Sequence, residues 1–405
     1  MTPLLRTRVA TGALTATAAL VLAGCGSGQP AASAGAAGSS AAGSTSGRPA
    51  DGPRITLTYD GGLLVLDGTD FSTVADLSKD GFLRVNAAGD HDGHVMVTTP
   101  EGFQVLDTGL TSGTADLTDV VFPASEAGHV TPHAGRTALF ADGTGDITLF
   151  DTDAVTDTSL PPTRTVTSPA AHHGVAIQLS DGRLLATIGT KDSRSGVRVL
   201  DPAGTEIARN EQCPTVHGEG ALKDEVIMFG CADGVLLYQD GAFVKLPAPA
   251  AYGRTGNAYV TDTSAIAVGD YRDDPDMEGY LLSSLVFIDT TARTSTVVPL
   301  PTGVSYTWRG VDRDAQDNVI VLGSDGRLHR LDQTGAVLDS WPVIAPWTGP
   351  AKWQDPHPAL TVVGETAYVT EPAGNKIIAF DLATGTTAAT GTLVHTPNEI
   401  AVVGT

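Results

Sequence analysis

The sequence predicts an all-β protein, a β-propeller of eight four-stranded blades with 3+1 closure by the C-terminal strand. Three observations predict it: a strand-and-Asp pattern repeated eight times, units that divide into four short strands, and chain ends that complete one blade together. In most copies the pattern is a Gly-containing turn, a short apolar strand and then Asp. It ends at Asp67, Asp107, Asp151, Asp201, Asp240, Asp289, Asp332 and Asp381, so neighbouring copies stand between 39 and 50 residues apart. A period of roughly 40–50 residues with several strands per unit marks a propeller rather than a helical solenoid.

One unit shows the strands directly. Residues Gly174 to Ser180 form an inner strand, closed by the turn Ser180-Asp181-Gly182. Arg183 to Gly189, Gly196 to Leu200 and Thr205 to Asn210 follow, each pair separated by turn residues as hairpins require. The first unit offers Ile55 to Tyr59, Gly62 to Leu66 and Thr73 to Leu77 without an inner strand, and Glu399 to Val403 supplies one strand without a blade. Three plus one closes the ring and leaves no unpaired edge. Seven blades is the alternative, because the long units ending at Asp289 and Asp381 allow a different division.

The N-terminus sets the compartment. Arg6 and Arg8 precede an apolar run from Val9 to Leu22, too short for a permanent span, so residues 1–24 read as a signal peptide. Leu22-Ala23-Gly24-Cys25 looks like a bacterial lipobox, which makes Cys25 the lipidated first residue of the mature chain; an ordinary signal with an incidental Cys is the alternative. Residues 25–53, dominated by Gly, Ala, Ser, Pro and Thr, read as a flexible tether with too little apolar surface to offset its ordering entropy. The propeller then spans 54–405, extracytoplasmic and anchored to the cell membrane by its lipid alone.

Removing residues 1–24 takes away two of the 24 basic residues and none of the 46 acidic ones, leaving a net charge near −24. That sign disfavours nucleic acid and anionic lipid and attracts cations, and no basic patch is interleaved with aromatics. Solubility alone also accounts for most of such acidity. Two cysteines remain, Cys213 and Cys231, and an even pair in an oxidising compartment reads as a disulfide; thiolate ligation is the alternative. A Gly-x-Ser-x-Gly elbow, a phosphate-binding Gly-rich loop and a dinucleotide fingerprint are all missing from the sequence.

Histidine carries the remaining chemistry. His129 opens the inner strand of the third unit, His172 and His173 that of the fourth, and His217 that of the fifth. These positions share one mouth of the axial channel, so imidazoles about 44 residues apart in sequence can converge. Three of them, with a carboxylate such as Glu219, make a tetrahedral N/O set that suits zinc at about 2.0–2.1 Å. The bland reading is that channel-lining imidazoles bond to backbone or water. His91 and His94 read as a solvated turn, Tyr271 to Glu278 as a solvated acidic loop, and Trp308, Trp341, Trp347 and Trp353 as packing between blades.

These stretches resemble a known family, the periplasmic zinc metallochaperones of the AztD type that serve bacterial zinc ABC transporters. The resemblance rests on His172-His-Gly-Val-Ala176, Gly196-Val-Arg-Val-Leu-Asp201, Cys213-Pro-Thr-Val-His-Gly-Glu219, the strand after Cys231, Asp325-Gly-Arg-Leu-His329 and Trp353-Gln-Asp-Pro356. It covers the chain from about residue 55 onward. It implies a propeller that binds zinc through His129, His172, His173, His217 and Glu219 and passes it to the transporter's solute-binding protein. The family's His-rich acidic N-terminal segment has no counterpart in the tether here, and the lipid anchor is a second departure.

The leading expectation is therefore a monomeric zinc metallochaperone that is not an enzyme. A metal-free propeller scaffold for envelope protein assembly is the rival from another class. A lactonase or quinoprotein dehydrogenase would need a calcium site of Glu, Asn and Asp or a cofactor cage rich in Trp and Arg, and the sequence displays neither.

Overall fold

A computed structural model describes residues 49–277 and 279–404. The signal peptide, Cys25 and the tether up to residue 48 lie outside the described residues. Eight antiparallel sheets follow one another along the chain, which decides for eight blades over seven. The inner strands are Ile400–Val403 in blade 1, Arg84–Ala87, Ala127–His133, Ala176–Gln178, His217–Ala221, Ala258–Tyr259, Val311–Arg313 and Leu360–Val363 in blades 2 to 8. Helix among the described residues is confined to four 3-10 turns of three residues each.

The recurrent Asp has a local cause. It ends the third strand of a blade or directly follows it, and in six of the eight blades its carboxylate caps the turn into the outer strand. Asp67 accepts from the Thr69 N–H at 2.9 Å, Asp107 from Gly109 at 2.7 Å, Asp289 from Thr291 at 2.9 Å and Asp332 from Thr334 at 2.8 Å. Asp side chains make this bond because they reach the backbone two residues on. The turn chemistry thus writes the blade period into the sequence.

Apolar alternation does the rest. One cluster of buried side chains lies between each pair of neighbouring blades, from Leu63, Val65 and Val97 between blades 1 and 2 to Ile55, Leu57 and Ile377 between blades 8 and 1. A blade buries its faces only against its neighbours, so the ring must close. Closure is made by Ile400–Val403 pairing antiparallel with Arg54–Tyr59, with Leu57 opposite Ile400 and Arg54 opposite Val403. Ahead of that first strand, the Ala50 N–H donates to Leu110 O at 2.8 Å.

Blade 4 departs from the expected boundaries. Its inner strand is only Ala176–Gln178. The Thr187 hydroxyl accepts from the Val175 N–H at 3.1 Å, so a side chain takes the place of a ladder bond and residues 172–175 run as a loop. That loop carries both histidines of the pair.

Candidate metal centre

Three blades each deliver one imidazole to the same point. His129 lies on the inner strand of blade 3, His173 on the loop before that of blade 4, and His217 at the first position of that of blade 5. The Nε2 atoms of His129 and His173 both stand 3.1 Å from Nε2 of His217, and the ring centroids are 4.8–5.1 Å apart. Among the described residues this is the one group of three or more metal-ligating side chains whose donor atoms converge, all within 4.8 Å of one another.

The opposite ring nitrogens define the tautomers. His217 Nδ1 faces Gly256 O at 2.5 Å and His173 Nδ1 faces Asp142 Oδ2 at 2.5 Å. His129 Nδ1 faces Glu219 Oε1 at 3.6 Å, within ion-pair reach, and Glu219 also accepts from the Thr131 hydroxyl at 3.0 Å. Gly256 O and Asp142 assign the proton of His217 and His173 to Nδ1, and Glu219 favours the same tautomer of His129, which leaves the Nε2 lone pairs toward the convergence point. Three lone pairs aimed at one point repel unless a cation sits between them. A tetrahedral zinc with bonds of about 2.0–2.1 Å separates its nitrogens by roughly 3.3 Å, close to the spacing found. Acceptors on the remote nitrogens are the usual support of metal-ligating histidine.

Electrostatics agree with neutral imidazole. Burial pushes His217 well below the ordinary value, and the neighbouring His129 adds to the effect. Burial also works against ionisation of Glu219, but the nearby His129 Nδ1–H and the hydrogen bond from the Thr131 hydroxyl outweigh it and hold the carboxyl below its usual range. Glu219 thus sits behind His129 as an anionic support, on the Nδ1 side and away from the convergence point.

Glycines beside the histidines make room for these supports. Gly218 has φ +64°, and a Cβ on it would stand 2.5 Å from Gly256 O, the acceptor of His217. A Cβ on Gly128 would stand 2.4 Å from Asp142 Oδ1, on the carboxylate that holds His173. The segment carrying Gly256 is itself anchored: Asp270 accepts from the Asn257 N–H at 3.0 Å and its side-chain amide at 2.7 Å, and Thr255 N–H donates to Cys231 O at 3.0 Å. Cys231 is bonded to Cys213, four residues before His217. One covalent link therefore ties the approach to His217 to the strand end that positions its acceptor.

His172 points elsewhere. Its Nδ1 faces Ala170 O at 2.9 Å, its Nε2 faces the Thr187 hydroxyl at 3.0 Å, and its ring packs edge-on against Phe140. It fixes the loop that presents His173. His133 meets Glu225 at 2.9 Å, and Glu225 also accepts from the Ser180 N–H at 2.6 Å, which joins blades 3, 4 and 5. His94 is buried between Asp90 and Asp157, His91 meets Asp153, and His395 stacks on Tyr59 beside Asp76, all remote from the three converging rings.

The convergence point opens into a cavity of about 530 Å³, lined by the three histidines and also by Arg84, Arg254, Trp308 and Trp353. Sequence reasoning missed these other lining residues. Trp308 and Trp353, read as packing between blades, flank the Arg84 guanidinium at 5.4 and 5.6 Å from their ring centroids. Asp142 was missed as well, since a carboxylate in a Gly-rich turn carries no signal of its own.

Comparison with known proteins follows the same lines. No family model matches the chain. Over 267 residues it is 27% identical to the zinc chaperone AztD of Citrobacter koseri, covering 63% of this chain and 60% of that protein, so the match spans less than two thirds of the relative's length. Two solved structures of Citrobacter koseri AztD, one of them the apo form, superpose with TM-scores of 0.73 and 0.72 at 21% and 22% identity, over 87% of this chain and 98–99% of theirs. A dihydro-heme d1 dehydrogenase, NirN, shares the architecture more distantly, with a TM-score of 0.59 at 14% identity. The structural likenesses establish the propeller. The resemblance to the AztD-type chaperones holds at the level of sequence as well.

Proposed function

We propose that the chain is an extracytoplasmic zinc metallochaperone. It takes up one zinc ion through His129, His173 and His217 and passes it by ligand exchange to the solute-binding protein of a zinc ABC transporter. The observation that carries this reading is the convergence of three Nε2 atoms whose opposite ring nitrogens face Gly256 O, Asp142 and Glu219. Similarity to a protein named as a zinc chaperone supports it, and the Cys213–Cys231 disulfide fits an oxidising compartment. A three-histidine set leaves the fourth position toward the open mouth, where an incoming ligand begins the exchange. In this reading Glu219, Asp142 and the Gly256 carbonyl orient the ligands, His172 braces the loop, and lipidation at Cys25 confines the carrier to the membrane surface.

The test is a competition titration against a chromophoric zinc chelator. The protein is expected to bind one tight equivalent. His129→Ala, His173→Ala and His217→Ala each weaken it by orders of magnitude, because the remaining ligands cannot complete a tetrahedron. His91→Ala and His395→Ala leave affinity near the parent value. A His217→Ala protein that binds zinc like the parent would overturn the assignment and favour the metal-free scaffold.

A further inference from the structure

The remainder of the cavity lining has the wrong charge for a simple cation site. The chain as a whole carries 46 acidic and 24 basic residues, yet the lining of this cavity includes Arg84, Arg254 and Arg272 against a single carboxylate, Asp270, among the described residues. Asp270 is already occupied by the N–H groups of Gly256 and Asn257 and by the Asn257 amide. Arg272 is occupied as well, donating to Asp274 O and Met277 O. The other two arginines have donors to spare.

Arg84 spends only Nε, on Glu399 at 3.1 and 3.3 Å, and neither of its Nη groups has an acceptor among the described residues. The two tryptophans on its flanks hold the guanidinium plane in place. Glu399 cannot neutralise Arg84 alone, because it also pairs with Arg309 at 3.0 Å. Among the described residues no hydrogen bond satisfies the Arg254 guanidinium either, although it lies within electrostatic range of Asp270. Close to His217 there is a third arginine, Arg194, whose Nη1 is buried without a hydrogen-bond partner among the described residues. Half-buried guanidiniums without acceptors are costly, and they also repel a dication held by neutral imidazoles. Both costs vanish if an anion lies between the metal and the arginines.

We propose that the mouth is a carboxylate subsite: an exogenous carboxylate gives one oxygen to the zinc as fourth ligand and the other to Arg84 and Arg254. A carboxylate suits the place because its two oxygens can bridge a metal and a guanidinium, and guanidinium geometry matches it. This inference rests on the zinc reading and deepens it. The carboxylate comes either from a small organic acid in solution or from an Asp or Glu side chain that a partner inserts into the mouth. In the second case the arginines would draw in the ligand that starts the transfer.

The experiment uses the purified protein loaded with Co²⁺, whose visible spectrum reports coordination. Acetate is titrated in perchlorate buffer, and a blocked tripeptide carrying one central Asp is titrated in parallel. The spectrum is expected to shift saturably. Arg84→Gln and Arg254→Gln are each expected to weaken the carboxylate about tenfold or more, the weight of a charge-assisted hydrogen bond. In carboxylate-free buffer both variants bind Co²⁺ more tightly than the parent, since a repelling charge is gone. Response to acetate identifies a free acid, and response to the peptide alone identifies a partner's side chain. If the loaded protein responds to neither, or responds equally with both arginines replaced, the subsite is refuted while the metal site stands. If no Co²⁺ binds, the zinc reading fails first.

Discussion

Gly218→Ala isolates the support of one ligand without touching any ligand. Two costs are expected. Residue 218 has φ +64°, where an L side chain costs roughly 1–2 kcal/mol. The new Cβ would also stand 2.5 Å from Gly256 O and 2.8 Å from the Asn257 backbone, so that segment must retreat. Retreat removes the acceptor now 2.5 Å from His217 Nδ1 and frees the ring to turn its lone pair off the convergence point. Loss of such a support typically costs 10–100-fold in metal affinity. Gly364→Ala is the matched control: its φ is +59° and a Cβ there meets nothing within 4 Å. Both variants should lose the thermal stability that the positive φ costs, Gly218→Ala somewhat more because of its added clash, read by circular dichroism. Only Gly218→Ala should lose 10–100-fold in zinc affinity, read by chelator competition. Equal affinities for the two proteins would refute the claim that the Gly256 carbonyl orients His217.

Other perturbations test other links. Thiol labelling of the denatured, unreduced mature protein should find Cys213 and Cys231 blocked, and replacing both by Ser should cost about 3 kcal/mol for a loop of this length. Deleting residues 399–405 should lower the melting temperature far more than deleting 26–47, because Ile400–Val403 closes blade 1 and its loss exposes the edge of Arg54–Tyr59. His94 is raised to about 9: burial opposes its charge, but Asp90 and Asp157 outweigh burial. A folded value above the unfolded one stabilises below pH 6.5 and is lost as pH rises through about 9. The move is worth roughly 3 kcal/mol at full weight and roughly 2 with Asp157 half in water. Urea unfolding at pH 6 and pH 9.5 should show that loss in the parent and not in His94→Phe.

Much of the architecture was legible because it depends on local chemistry. The Asp after the third strand recurs once per blade and caps the outer turn in six of the eight, so counting it counted the blades, and Leu57 and Ile400 sit in strands that the chain ends displayed openly. The approach of His129 to His217 was legible for a related reason, since the same address on neighbouring inner strands means nearness in a ring. The choice between His172 and His173 was not. Strand alternation would have decided it, but the Thr187 hydroxyl ends the ladder at Val175 and leaves both residues in a loop. Arg84, Trp308 and Trp353 were illegible for a different reason: they meet across the ring from blades 2, 7 and 8, with no shared motif or spacing.

The position of the site across three blades also says how its geometry is kept. A ligand set on one strand would be held by backbone alone, whereas this one depends on the angles between blades 3, 4 and 5. Those angles are fixed by packing of Phe140 and Ala176 between blades 3 and 4, and of Val175, Val216 and Phe229 between blades 4 and 5. At the far end of the same inner strands Glu225 bonds Ser180 and His133, clasping the three blades a second time. Metal affinity should therefore respond to changes that loosen this sector and ignore equal losses of stability in blades 6 to 8. A preformed donor set has little ordering entropy to supply on binding, and an open fourth position gives an incoming ligand a way in. In the proposed carrier, tight capture would rest on the braced imidazoles and ready exchange on the arginines that line the same mouth.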